Sequence, residues 1–262
     1  MSAVQTKLER DGAVLIFTFN RPDKFNAFTR DMLAALALAV ESYAEDPDLR
    51  VMLIRAEGQY FSAGMDVTAL GKTPEGEGPS GFRRRYRTTA WHDLWDAFET
   101  LEKPIVVAHQ GPCVGAGLEM SLSCDFRLAS DAAHYSLPEL NMGMIPGSGG
   151  TSRLVRTVGG ALARWMIMAG QKVSAAQALN AGLINVIYPA DSFEADVRAF
   201  CQTLAEQPPE AMAAAKLAIE FAADLDRTQA RNMERLVNSS LSEGDEQKRV
   251  FAKLLERMTR KG

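Results

Sequence analysis

The period of apolar and polar positions changes several times along the chain, and the changes predict strands and helices in alternation. Short apolar runs, most ended by glycine, proline or aspartate, predict strands at 4–9, 13–19, 51–55, 105–109 and 125–129, the first two forming a hairpin. Between them, apolar residues recur at helical spacing, which predicts helices at 29–43, 82–101 and 118–123. A chain in which strand, turn and helix recur favours an α/β fold with parallel strand pairs and right-handed crossovers.

The pattern becomes mostly helical after Gly150. It predicts helices at 151–158, 161–168 and 174–180, one more strand at 185–188, and further helices from 191 onward. Pro208-Pro209 marks a boundary, so we expect a core at 1–207 and a helical oligomerisation region at 208–262. A stretch rich in glycine and proline at 71–81 predicts a mobile loop.

The composition is that of an ordinary globular protein. With 262 residues, of which 47% are apolar and 24% charged, the chain can bury one large core, or a main core with a smaller helical part. A net charge of −4 gives no reason to expect nucleic-acid binding. No secretory signal and no apolar run long enough to cross a bilayer is visible, so we expect a cytoplasmic protein with no membrane partner.

The residue types that commonly bind metals or phosphates show no spacing typical of such sites. Three cysteines are too few and too widely spaced for a disulfide framework or a zinc site. His92, His109 and His134 share no ligand spacing, so we expect no metal. The GSGG segment at 147–150 lacks the lysine of a phosphate-binding loop, and no dinucleotide fingerprint is present.

Two glutamates stand out from their surroundings. Glu119 lies among apolar neighbours, where a charge is costly unless it is paired or used. Glu139 follows Pro138 and precedes a glycine-rich loop. A single glutamate is most often a solvated surface residue, and for Glu139 alone the two interpretations are balanced. For Glu119 the apolar neighbours favour a function in proton transfer.

Two small-residue turns can expose backbone amides. Ser62-Ala63-Gly64 follows an apolar strand, and Gly115-Ala116-Gly117 begins a helix, where the helix dipole adds positive potential. Either turn alone is an ordinary feature. Two such donors that converge, with carboxylates close behind them, form an oxyanion hole and a proton-transfer pair, which are the parts needed to stabilise an enolate.

These segments, in this order, resemble the crotonase superfamily and within it the enoyl-CoA hydratases. The resembling stretches are NRPDKFNAFT (20–29), FSAGMDV (61–67), and residues 103–130, 137–159 and 181–189. The resemblance implies a spiral of ββα repeats followed by C-terminal helices, assembled as a homotrimer or a dimer of trimers. It is specific for the superfamily and less specific for the reaction, because this scaffold hosts several chemistries.

Residue by residue, the resemblance implies two catalytic glutamates, Glu119 and Glu139, and two oxyanion-hole amides, those of Ala63 and Ala116. Many hydratases carry glycine at the second amide position, where this chain has alanine. The implied contacts with coenzyme A and its thioester come from Lys24, Phe25, Ala27, Ala63, Gly64, Met65 and Asp66, with Gly147 beside the catalytic water. No separate cofactor is implied, since coenzyme A is part of the substrate.

The presence of both glutamates favours reversible hydration of a trans-2-enoyl-CoA to a 3-hydroxyacyl-CoA, and by family analogy Glu139 protonates C2. Another crotonase reaction stays open, such as double-bond isomerisation or a retro-aldol lyase step on an aryl acyl-CoA, in which Met65, Met142 and Met144 could line an unusual acyl pocket. A non-catalytic RNA-binding or assembly subunit is a second alternative, suggested only by the basic run at 83–87. A cofactor-dependent oxidoreductase is the third, and the missing fingerprint argues against it.

Overall fold

A computed structural model of the chain describes residues 4–68 and 90–259. Within these ranges the strands are β1 (Thr6–Asp11), β2 (Val14–Phe19), β3 (Val51–Ala56), β4 (Ile105–His109), β5 (Cys113–Val114), β6 (Phe126–Ser130), β7 (His134–Ser136), β8 (Val173–Ser174) and β9 (Val186–Tyr188). The helices are α1 (Arg30–Glu45), α2 (Ala90–Thr100), α3 (Ala116–Leu122), α4 (Gly150–Ile167), α5 (Ala175–Asn180), α6 (Phe193–Ala205), α7 (Pro209–Asp224), α8 (Arg227–Glu243) and α9 (Asp245–Thr259). Short 3-10 turns occupy Pro22–Lys24 and Glu139–Met142.

The main sheet has six strands in the order β1-β2-β3-β4-β6-β9. The first pair is the predicted antiparallel hairpin, and every later pair in this sheet is parallel, which confirms the α/β prediction. A second, three-stranded sheet in the order β5-β7-β8 was not predicted. Its strands are two or three residues long, so they are too short to show a period in the sequence.

The main sheet is buried on both faces, and alternate residues of β2 show how. Leu15 and Phe17 join the large core cluster with α1 and α2, whereas Val14 and Ile16 pack on the opposite face. The smaller cluster on that face is completed by Phe193 and other residues of α6. Parallel strands covered by helices on both faces read as continuous apolar runs, which is why the sequence predicted them well.

Several predicted helix ends are confirmed. The side chain of Thr29 accepts a hydrogen bond from the amide of Met32 (3.2 Å) and caps α1. Gly159, with φ 77° and ψ 165°, interrupts α4, so the two helices predicted at 151–158 and 161–168 form a broken pair. The loop predicted at 71–81 and the first part of the helix predicted at 82–101 lie outside the described residues.

Two buried charges hold the C-terminal helices: Lys216 joins α7 to the core of the same chain, and Glu246 joins α9 to α7. The ammonium of Lys216 on α7 donates to the carbonyl of Phe98 (2.7 Å) and to the carboxylate of Asp125 (2.9 Å). The buried carboxylate of Glu246 on α9 accepts from the amide of Ala211 (3.1 Å), at the first turn of α7. The docking within one chain leaves the oligomerisation role of this region a prediction.

No helix within residues 4–68 and 90–259 combines the length and the apolar character needed to cross a membrane.

Candidate active site

Glu119 sits on a short helix that is buried along its whole length. The helix α3 follows Gly115, whose φ of 55° and ψ of −127° suit glycine alone and turn the chain from β5 into the helix. The Glu119 carboxylate is 4% exposed and accepts a hydrogen bond from the amide of Ser148 (3.0 Å). Gly150 leaves room for it, because a Cβ there would lie 2.6 Å from the carboxylate oxygen.

The environment of Glu119 brings its pKa close to neutral pH. Burial is the main cause that raises the pKa of this carboxyl to about 7. The nearby charge of Glu139 acts in the same direction, and the hydrogen bond from Ser148 opposes both. A carboxyl whose pKa lies near the operating pH can both take and give a proton. Glu119 therefore has the properties of a general acid or base.

Glu139 begins the 3-10 turn Glu139–Met142 and is 8% exposed. Burial raises its pKa as well. The Oε1 oxygen of Glu139 lies close to Gly115, since a Cβ added to Gly115 would lie 2.9 Å from this oxygen. The Oε2 oxygen is buried and has no hydrogen-bond partner among the described residues. The backbone carbonyl of Gly115 accepts from the amide of Glu119 (3.0 Å). The carboxyl of Glu139 is also close enough to that of Glu119 for its charge to raise the pKa of Glu119.

The two segments predicted to expose amides run side by side. A parallel bridge joins Ser62 to Cys113, with the amide of Val114 donating to the carbonyl of Ser62 (2.9 Å). Further along, a Cβ on Gly64 would lie 3.3 Å from the nitrogen of Ala116. This packing places the end of the FSAGM segment against the first residue of α3.

The amide of Ala63 has a different role from the one predicted. It donates to the carbonyl of Phe25 (2.9 Å), so it is not free to bind a substrate oxygen. The next free amide on this segment belongs to Met65, which donates to no described group, and the same holds for Ala116 at the first position of α3. We therefore replace Ala63 by Met65 as the candidate partner of Ala116 in an oxyanion hole.

The segment that contains Lys24, Phe25 and Ala27 lies against residues 63–66, and its contact with coenzyme A stays a prediction. Phe25 is half-exposed and lies in the left-handed region, with φ 50°. The guanidinium of Arg21 donates to the carbonyl of Ala27 (3.1 Å) and pairs with Asp66 (2.7 Å). Hydrogen bonds from Thr68 and Arg21 lower the pKa of Asp66 to about 2, so this carboxylate stays ionised.

The buried amide side chain of Asn26 fixes the shape of this segment. Its Nδ2 donates to the carbonyls of Glu57 and Tyr60 (both 2.8 Å), and its Oδ1 accepts from the amide of Arg21 (2.8 Å). Sequence reasoning singled out neither Arg21 nor Asn26. The signal available was an asparagine inside an otherwise loop-like segment, which is too common to notice.

The remaining predicted residues lie at the edge of the site. Gly147 is exposed and precedes Ser148, the residue that holds Glu119. Met142 and Met144 are nearly half-exposed on the loop after Glu139, where apolar side chains are free to meet a ligand.

His109 and Cys113 lie near the site but are engaged in the core. Both ring nitrogens of His109 are within hydrogen-bond reach of hydroxyls, those of Tyr135 (3.1 Å) and Ser121 (2.7 Å), and burial lowers its pKa to about 3. Burial raises the pKa of the Cys113 thiol to about 12. Among the described residues, no group of three or more His, Cys, Asp or Glu side chains is arranged to hold a metal ion.

We expect Glu119→Gln to stabilise the protein at pH 8 and to have little effect near pH 5. The folded-state pKa of Glu119 is raised from 4.5 to about 7, so the folded protein holds this proton more tightly than the unfolded chain. The stability that this proton contributes is complete below pH 4.5 and is lost as the pH rises through 7. Glutamine keeps the shape and the bond from Ser148 but carries no charge. The expected gain at pH 8 is on the order of 3 kcal/mol in the free energy of unfolding.

Urea unfolding of both proteins at the two pH values measures this difference. An equal gain at pH 5 and pH 8 would show that the effect does not come from ionisation of Glu119.

The site thus combines two buried carboxyls with two backbone amides that donate to no described residue, beside an apolar loop and a segment fixed by ion pairing. Comparisons with known proteins agree with this arrangement. The model of the enoyl-CoA hydratase/isomerase family matches residues 9–261. The chain is 29% identical over 252 residues to the 2,3-dehydroadipyl-CoA hydratase of Escherichia coli (strain K12), with 96% of each protein covered.

Two further comparisons extend the match. The chain is 34% identical over 213 residues to the carnitinyl-CoA dehydratase of Salmonella typhi, covering 80% of this chain and 77% of that protein. The crystal structure of an enoyl-CoA hydratase from Bacillus anthracis has a TM-score of 0.87 to this structure at 26% identity, with 97% of each chain covered. Since the family match includes every segment of the site from FSAGM to Gly150, the chain belongs to the enoyl-CoA hydratase/isomerase family and is an enzyme with the crotonase fold.

Proposed function

We propose that the protein catalyses the reversible hydration of trans-2-enoyl-CoA thioesters to 3-hydroxyacyl-CoA. The observation that carries this proposal is the pair of buried glutamates, Glu119 and Glu139, whose carboxyls are close enough for the charge of Glu139 to raise the pKa of Glu119. Hydration requires a base that takes a proton from water and an acid that gives a proton to carbon. Two interacting buried carboxyls favour a state in which they share one proton, which supplies both groups at once.

The two free amides supply the electrostatic part of the mechanism. In the proposed complex, the amides of Met65 and Ala116 donate hydrogen bonds to the thioester carbonyl oxygen. As the water oxygen bonds to C3, electrons of the C2=C3 bond move toward this carbonyl oxygen, and the two amides stabilise the developing negative charge. One donor of such a pair typically contributes about 10²–10³ in rate.

The two carboxyls complete the reaction. The ionised Glu119 takes one proton from the attacking water, which leaves a hydroxyl group on C3. The protonated Glu139 gives its proton to C2. After the step Glu119 carries the proton and Glu139 is ionised, and exchange with solvent restores the starting state.

The comparisons support an acyl-CoA substrate. The relatives from Escherichia coli and Salmonella typhi are named as a hydratase and a dehydratase of acyl-CoA compounds. Addition and removal of water are the two directions of one reaction, so both names fit the proposed chemistry.

The test is the loss of the conjugated-thioester absorbance of crotonyl-CoA in the presence of the wild-type protein. Run in H₂¹⁸O, the reaction should place one ¹⁸O atom in the product at C3, and in D₂O it should place deuterium at C2. A trans-3-enoyl-CoA serves as the comparison substrate. The proposal is wrong if folded protein binds crotonyl-CoA without consuming it, or if it only converts the 3-enoyl thioester to the conjugated isomer.

A further inference from the structure

We propose that Arg153 is a positioning residue, which holds Glu119 in place through the backbone of Ser148 and ties the site to helix α2. This inference deepens the proposed function and rests on it for its kinetic test. Arg153 forms no hydrogen bond with the carboxylate of Glu119 or Glu139, so its effect must pass through another residue.

The guanidinium of Arg153 is almost fully engaged. Arg153 lies in the first turn of α4, and 11% of its side chain is exposed. Its guanidinium forms a fork of two hydrogen bonds to the carboxylate of Glu99 on α2 (2.5 and 2.7 Å). A further bond joins it to Asp96 (2.6 Å), one turn earlier on α2. A fork of this kind fixes the plane of the guanidinium as well as its position.

The remaining nitrogen of this fixed guanidinium points toward the site. Its Nη1 donates to the carbonyl of Ser148 (3.1 Å), and the amide of the same residue donates to the Glu119 carboxylate (3.0 Å). Ser148 is buried and its hydroxyl makes no hydrogen bond in the described structure. Its backbone therefore connects Arg153 on one side with Glu119 on the other.

The two glycines that follow Ser148 show that the loop is shaped around both side chains. At Gly149, φ is 81°, and an added Cβ would overlap Nη1 of Arg153. At Gly150, an added Cβ would lie 2.6 Å from the carboxylate oxygen of Glu119. One glycine admits the guanidinium and the next admits the carboxyl, so the loop can hold the two charges at a fixed separation.

The charges around Glu119 determine the direction in which its pKa should change when Arg153 is replaced. The groups that face its carboxyl are Glu139 from the turn at 139–142, Arg153 from α4, and the amides of Ser148 and Gly150; of these, only Glu139 raises its pKa. Removing Arg153 takes away a positive charge and releases the Ser148 amide. Both changes make ionisation of Glu119 less favourable.

The kinetic test compares wild type, Arg153→Met and Arg153→Lys, with crotonyl-CoA as the substrate. The matched control is Arg156→Met, one turn further along α4, where the arginine forms an exposed pair with Asp224 (2.9 Å) and does not contact Ser148. We expect Arg153→Met to lower kcat by about 10²-fold, with a smaller change in KM. The acidic limb of its pH profile should move upward by on the order of one pH unit. Arg156→Met should match wild type.

Arg153→Lys separates charge from geometry. Lysine keeps the charge but cannot form the fork with Glu99 and reach Ser148 at the same time. Its acidic limb should return toward the wild-type position while kcat stays low. Wild-type kcat in Arg153→Lys or in Arg153→Met would overturn the positioning role.

A measurement without activity keeps this inference separate from the proposed function. The stabilisation by Glu119→Gln at pH 8, read as the shift of the urea midpoint, should be larger in the Arg153→Met background than in the wild-type background. Equal shifts in the two backgrounds would overturn the inference even if the protein hydrates no enoyl-CoA. Conversely, a larger shift in a protein inactive on crotonyl-CoA would overturn only the proposed reaction.

Discussion

In Glu119→Gln and in Glu139→Gln, hydration of crotonyl-CoA should fall by at least about 10³-fold. Each substitution preserves size and leaves an amide that can neither take nor give the proton. The two carboxyls act on one water in the proposed mechanism, so neither can replace the other. Initial rates from the loss of absorbance at several substrate concentrations measure the change in kcat and in KM.

The double variant gives a sharper form of the same prediction. Residues that act as a unit are strongly non-additive, so removal of the second carboxyl should cost little beyond removal of the first. Glu194→Gln is a suitable control, because Glu194 pairs with Arg55 at an exposed position of α6. Near wild-type turnover in either single variant would rule out the two-carboxyl mechanism and would favour a reaction that needs one proton carrier, such as an isomerisation.

Gly115→Ala should also abolish most of the activity, by at least about 10²-fold. The backbone at Gly115 has φ 55° and ψ −127°, a conformation that alanine resists at a cost of about 1–3 kcal/mol. The new methyl group would lie 2.9 Å from the Glu139 carboxylate. A shift that relieves either strain moves the Ala116 amide, the Glu139 carboxyl, or both.

Gly12→Ala separates the effect of backbone strain from the effect of the close approach to Glu139. Gly12 also has a positive φ, of 60°, but an added Cβ there would meet nothing within 4 Å. Both variants should lose stability in urea unfolding, and only Gly115→Ala should lose turnover. Equal turnover in the two folded variants would show that the approach of Gly115 to Glu139 has no part in catalysis.

The elements that sequence reasoning predicted correctly are those whose signal is local. Strands β2, β3 and β4 are buried on both faces and read as apolar runs, and α1 begins at a threonine cap followed by a regular apolar stripe. The second sheet was missed because its strands are held by pairing between distant segments. Val173, for example, pairs with Tyr135, and the local pattern of apolar and polar residues predicts a strand at neither position.

The candidate site divides in the same way. Glu119 could be found because a charge among apolar neighbours is visible in one line of sequence. The assignment of Ala63 failed because the state of an amide depends on its partner, and the partner here is the carbonyl of Phe25 from a different loop. Nothing in the local sequence singles out Arg153. Its importance comes from Glu99 and Ser148, whose positions only the fold determines.

Lys216 has a consequence for work with shortened forms of the protein. Its ammonium is 6% exposed and also donates to the carbonyl of Lys103 (3.3 Å), within a segment that leads into β4. A chain cut after Gln207 would lack this cation and would leave the carboxylate of Asp125, whose side chain is only 17% exposed, without its ion-pair partner. An uncompensated buried charge typically costs roughly 3–5 kcal/mol, a large share of the stability of an ordinary domain. The boundary that the sequence shows at Pro208 is therefore not a boundary between independently stable parts. A fragment ending there is a poor choice for expression or crystallisation.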